Sequence, residues 1–164
     1  MSDADRSAFT SMTETLKVSR VDVSVIVHAT ENPDRIISAL HTLAPGTDLG
    51  KMTRNSATGH YGNPIQILQF RLSHQSRPEQ FLAHFWPKMS DLERKTILDQ
   101  LGSNIDDSGG LHLRIDKQEA VNGRVRVNET EPVRIVVVFD LRGIRVDRAL
   151  PLMIQKLNSI DLGK

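Results

Sequence analysis

Between residues 21 and 29 the chain alternates Val21, Val23, Val25, Val27 and Ala29 with Asp22, Ser24, Ile26 and His28. A period of two, dense in β-branched side chains, buries one whole side only as a strand; a slip of one residue would turn every valine to water. The chain is thereby committed to a sheet with one firmly buried face. Asn32 and Pro33 follow as an N-cap and a first-turn proline. Ile36, Ile37, Leu40 and Leu43 then share one helical face until Pro45-Gly46 stops it.

Four glycines, Gly46, Gly50, Gly59 and Gly62, fall in residues 46–63, which read as a long loop or a loop holding a weak edge strand. Residues 63–73 read as the second strand, with Ile65 and Ile67 alternating against Gln66 before Leu68, Phe70 and Leu72. Two helices are predicted next. Ser76-Arg77-Pro78-Glu79 and Ser90-Asp91-Leu92-Glu93 both have capping-box spacing ahead of apolar stripes. Strands are then expected over 111–116, 124–128 and 133–140, with a turn or helical turn over 117–123. The last strand is nearly all apolar in its second half, which predicts burial on both faces and a central place. The order β-α-β-α-α-β-β-β predicts an α+β domain, a mainly antiparallel sheet with helices on one face.

The domain spans 18–140 on this reading. Residues 1–17 are polar and read as a mobile tail. Residues 141–164 form an extension in which Leu150, Met153, Ile154 and Leu157 have the spacing of an amphipathic helix, Pro151 fitting only its first turn.

Composition excludes several classes of chemistry. With no Cys there is no disulfide scaffold, thiolate metal site or Cys nucleophile, a composition suited to a reducing, cytoplasmic setting. No apolar run is long enough to cross a membrane, and residues 1–18 lack the apolar stretch of a signal peptide. The six histidines form neither an HxH pair nor an HExxH motif. No GxSxG elbow is present, and Gly59-x-x-Gly62 lacks the Lys-Ser/Thr ending of a phosphate loop. The expectation is a protein without catalytic residues, metal or cofactor.

The formal net charge is only +1, so any polyanion site must be a local patch. Between Asp48 and Glu79 there is no acid, while Lys51, Arg54, Arg71 and Arg77 lie there with His60 and His74. From Glu79 to Asp107 the balance reverses, and Arg114, Lys117, Arg124 and Arg126 make a second basic stretch. If the two stretches meet on one face, they form a phosphate-binding surface. In Gly59-His60-Tyr61-Gly62-Asn63, His60 and Tyr61 are placed to stack on an unpaired base and Asn63 to bond its edge. At Asp116-Lys117-Gln118, Lys117 suits a phosphate and Gln118 a base edge. The alternative there is that Asp116 caps the next turn while Lys117 pairs with a nearby acid.

Three segments, in this order, carry a resemblance: Val25-Ile26-Val27-His28-Ala29-Thr30-Glu31, Gly59-His60-Tyr61-Gly62-Asn63-Pro64-Ile65 and Leu113-Arg114-Ile115-Asp116-Lys117-Gln118. Over residues 18–140 the chain resembles an archaeal family described as predicted RNA-binding proteins and predicted exosome subunits. That family is similar in fold to the large-subunit ribosomal protein that binds 5S rRNA. The resemblance implies an archaeal source, an α+β fold and a role near RNA processing, and it supplies no catalytic residues.

The leading expectation is a non-catalytic RNA-binding domain that favours structured RNA. Its candidate contacts are Lys51, Arg54, His60, Tyr61, Asn63, Arg114, Lys117, Gln118, Arg124 and Arg126. The rival is a protein-interaction subunit of an RNA-processing assembly such as the exosome, docking through the apolar stripe at 150–157. A third class, a phosphodiesterase built on Asp116 and His60, requires those two groups within reach of one metal ion. Oligomeric state is not legible.

Overall fold

The computed structural model describes residues 16–46 and 51–162. The sequence-predicted tail at 1–15 lies outside the described residues. The strands are β1 (Val18–His28), β2 (Thr53–Thr58), β3 (Pro64–Leu72), β4 (Gly110–Ile115) and β5 (Val133–Phe139). The helices are α1 (Pro33–Leu43), α2 (Arg77–Phe85), α3 (Asp91–Asp99), α4 (Leu101–Asn104), α5 (Lys117–Val121) and α6 (Val146–Leu162), with a 3-10 turn at Trp86–Lys88.

The strands form one antiparallel sheet in the order β2-β3-β1-β5-β4. Val21, Val23, Val25 and Val27 all face the buried side, as the alternation requires. In register beside them stand Leu72, Phe70 and Leu68 of β3 and Val137, Ile135 and Val133 of β5. Leu111, Leu113 and Ile115 of β4 complete that face.

Helices cover the apolar side. Asn32 accepts from Asp34 N–H at 3.0 Å and Pro33 opens α1. Ser90 and Glu93 close a full capping box on α3. Ser76 does not cap α2 with its side chain; its hydroxyl instead accepts from Gln80 Nε2 at 3.1 Å. Glu79 ties three elements together, accepting Val18 N–H at 2.7 Å and pairing with Lys156 of α6 at 3.1 Å.

Several expectations are corrected. Residues 124–128 form no strand: only an isolated bridge joins Val127 to Ile115. Val125 is buried while Arg124 and Arg126 turn out toward Glu119. The weak edge strand in the 46–63 region is β2. The observed order is β-α-β-β-α-α-α-β-α-β-α, counting the short helices. β5 is not buried on both faces, because Arg134 is exposed and Val136 and Val138 are half-buried on its other side. The central strand is β1. Pro151 sits in the second turn of α6, where it removes one helical hydrogen bond. Packing around it holds the helix: Ala149, Leu152, Met153 and Leu157 are buried. The apolar stripe proposed for a partner therefore covers the domain's own core. Leu16, assigned to the tail, is part of that core as well.

Candidate nucleic-acid interface

The three motif segments converge at one end of the sheet, where β1 ends at His28, β3 begins at Pro64 and β4 ends at Ile115. Glu31 is the hub there. Its Oε1 accepts from His28 N–H at 2.9 Å and from Lys117 Nζ at 2.7 Å, and its Oε2 from Gln118 Nε2 at 3.2 Å. Burial pushes the Glu31 carboxyl up, but the Lys117 hydrogen bond, the His28 N–H and the nearby positive charge outweigh it. The net position is below the ordinary 4.5. Lys117 is 5% exposed and also donates to the Ile26 carbonyl at 2.8 Å. Its ammonium points inward and is not presented to a phosphate.

Asp116 caps α5, accepting from Glu119 N–H at 2.7 Å and from Asn128 Nδ2 at 2.6 Å. The Glu119 and Asn128 bonds hold its carboxyl below the ordinary 3.8 against the effect of burial. Of the two readings of Asp116-Lys117-Gln118, cap and internal ion pair is the observed arrangement. Gln118 is exposed but engaged with Glu31.

The β2–β3 hairpin is exposed on both faces along all of β2. At its tip Gly59 N–H donates to Asn63 O at 2.7 Å, and Gly62 takes φ +81°, a left-handed conformation that suits glycine. Tyr61 is 92% exposed and meets His60 edge-on, the ring centres 4.9 Å apart. Asn63 is exposed beside them.

The other candidates do not gather in one place. Arg54 lies on edge strand β2 and points to the helix side, since it stands opposite Leu68. Lys51 is exposed just before that strand. Arg124 and Arg126 sit beyond the opposite edge, at 2.6 and 3.8 Å from one Glu119 carboxylate oxygen. Four strand spacings, about 19 Å, separate the two edges. The basic stretches therefore do not merge into one patch. His60 and Asp116 likewise belong to opposite edges. Among the described residues, no group of three or more His, Asp or Glu could hold a metal ion.

The uncovered face of the sheet carries a feature that the sequence reading missed. Register places Arg114, Arg134, Ser24, Gln69 and Thr53 in one row across all five strands. The Arg114 carbonyl turns outward to accept Asn128 N–H at 3.0 Å. Arg114 and Arg134 therefore form the closer kind of antiparallel pair, with Cα atoms about 4.5 Å apart. Neither guanidinium has an ion-pair partner among the described residues. Arg71 on the same face is neutralised by Asp22 at 2.6 Å. Arg134 is the lone charge inside the otherwise apolar Val133–Phe139 run, which is the sequence signal that marks it.

A family model described as RNA binding matches residues 20–140. The chain is 30% identical over 121 residues to the RNA-binding protein PAB1135 of Pyrococcus abyssi, covering 72% of this chain and 79% of that protein. The crystal structure of protein AF2318 from Archaeglobus fulgidus, a DUF54 protein, superposes with a TM-score of 0.74 at 28% identity. That match covers 86% of this chain and 99% of the other. Mth689, a DUF54 protein of Methanothermobacter thermautotrophicus, gives a TM-score of 0.72 at 26% identity, covering 85% and 98%.

Proposed function

We propose, from the premise that this chain belongs to the RNA-binding family, that it binds RNA without catalysis through the open face of its sheet. The observation that carries this reading is the Arg114–Arg134 pair, two cations directly opposed across strands with no ion-pair partner among the described residues. Like charges in that position cost the sheet a few tenths to about 1 kcal/mol. An anionic ligand reverses the sign of that interaction. Arg114 and Arg134 position the phosphates, with Arg124 and Arg126 extending the track past the β4 edge.

Tyr61 and His60, on the projecting hairpin, supply stacking on an unpaired base, and Asn63 offers an amide beside them. Lys51 and Arg54 serve as outlying contacts at the β2 edge. The span of the surface suits a structured RNA better than a few nucleotides of single strand. Lys117 and Gln118 shape the end of the sheet rather than touching RNA first. No helix among the described residues is long and apolar enough to cross a membrane.

The fold likeness to the 5S-rRNA-binding ribosomal protein and the link to exosome-type RNA processing in the cytoplasm rest on the sequence resemblance. The rival protein-docking role is weakened by the burial of the α6 stripe in the core. Anisotropy of a labelled stem–loop RNA across a salt series is the test. Arg114→Ala and Arg134→Ala are each expected to lower the magnitude of the salt slope by about 1. Absence of binding by the wild type at low salt would overturn the proposal.

A further inference from the structure

Beside the arginine pair, the open face sinks into a cavity of ≈ 460 Å³. We propose that this cavity takes one unstacked nucleobase of the bound RNA and prefers guanine, an inference that rests on the RNA-binding reading above. The floor is aliphatic. Ile26, 40% exposed, stands in register with Ile67, and Pro132 closes one side. Such a surface suits the flat face of a base, and a few polar groups around an apolar floor are the usual make-up of a small-ligand site.

The polar wall sets the preference. Ser24 and Gln69 occupy the row that continues to Arg134 and Arg114. Arg134 itself lines the cavity, so a phosphate on its guanidinium leaves the attached base beside the floor. Glu129 and Glu131 line it as well. Glu131 is tied to His28 at 3.1 Å, whereas Glu129 has no ion-pair partner among the described residues. Carboxylates only accept hydrogen bonds, and near an RNA backbone they repel phosphate. They are favourable on this surface where they meet N–H donors. Guanine presents two adjacent donor groups, N1–H and the 2-amino group, which match the two oxygens of one carboxylate. Adenine and cytosine each offer an amino group beside an acceptor nitrogen, and uracil a single N–H. Gln69 and Ser24 provide both donors and acceptors for the remaining edge.

The test is amide-resolved NMR titration of the full chain with 5′-GMP, 5′-IMP and 5′-UMP, run beside anisotropy on a mixed-sequence stem–loop. The expected result is that 5′-GMP shifts the Ile26, Ile67 and Gln69 amides and binds about tenfold tighter than 5′-UMP, the order expected for a paired contact. 5′-IMP, which lacks the 2-amino group, falls between them. Glu129→Gln, at an exposed position, reduces the GMP-to-UMP ratio to near one. If the nucleotides bind equally and perturb only Arg114 and Arg134, the surface recognises phosphate alone and the base site is overturned while RNA binding stands. If the stem–loop itself fails to bind at low salt, the underlying RNA reading falls first.

Discussion

Replacing Lys117 by alanine tests whether the residue works inside the fold or on its surface. In the wild type its ammonium donates 2.7 Å to Glu31 and 2.8 Å to the Ile26 carbonyl, at 5% exposure. Removing one partner of a buried pair costs about 3–5 kcal/mol, because the remaining charge is left without its counterion. Glu31 keeps the His28 N–H and Gln118, so the lower end applies, about 3 kcal/mol. For a chain of this size that corresponds to a fall in Tm of about 6–12 °C. Trp86, the single tryptophan and fully buried, reports unfolding in urea. The Lys117→Ala/Glu31→Ala double variant removes the orphaned charge, and its loss should fall short of the summed single losses by about 2 kcal/mol. A Lys117→Ala protein within about 1 kcal/mol of wild type, yet with RNA affinity lowered as much as by Arg134→Ala, would refute the reasoning. It would place the ammonium on the RNA surface.

Arg134→Ala should move stability and binding in opposite directions. Relief of the like-charge pair leaves urea stability unchanged or up to about 1 kcal/mol higher, while RNA affinity falls; a parallel loss of both would point to a structural arginine. Tyr61→Ala, at a side chain 92% exposed, should leave Tm within error and weaken RNA containing an unpaired loop by about 1–3 kcal/mol, with little change for a blunt duplex of equal length. Acid stability follows Glu31 and Asp116, whose carboxyls are held below 4.5 and 3.8 in the fold. The unfolded chain binds their protons first, so their contribution is present in full above those values and is lost as pH falls below them through the lower values of the folded state. Asp116→Asn keeps a capping side chain, and its thermal melts should lose less stability than wild type on acidification below pH 4; an equal loss would show that Asp116 contributes nothing to the acid transition.

What could be read from the chain was what is decided locally. The β1 alternation, the Asn32-Pro33 start of α1 and the Ser90–Glu93 capping box each depend on neighbours within a few residues, and each is present. β2 gave no such signal, because Thr53–Thr58 buries no side chain; only its backbone pairing to β3 makes it a strand. At 124–128 the two valines that a strand would turn to one side part company, Val125 buried and Val127 46% exposed. Lys117 was ambiguous for a different reason. Whether its ammonium turns in or out depends on Glu31, 86 residues away in sequence. Arg114 and Arg134 face each other only once β4 and β5 are paired in register.

That register also explains why the functional reading rests on the open face rather than on the basic stretches of the sequence. On the buried face, the partners along β3, β1, β5 and β4 are mainly aliphatic side chains and Phe70 with no charge among them, and Arg54 joins that side only at the exposed β2 edge. On the open face, two features work against stability. Arg114 opposes Arg134, and Glu131 holds φ +47° immediately before Pro132. A non-glycine residue in that region costs on the order of 1–3 kcal/mol. Either feature alone is a small local expense. Both border the cavity floored by Ile26 and Ile67: Arg134 and Glu131 line it, and Arg114 stands next in the row. A phosphate between the arginines offsets the first cost. A base that donates to Glu129, with Glu131 held against His28 at the same wall, gives the second a use. Of the two departures on this side of the sheet, the opposed arginines are therefore the one an RNA ligand would offset.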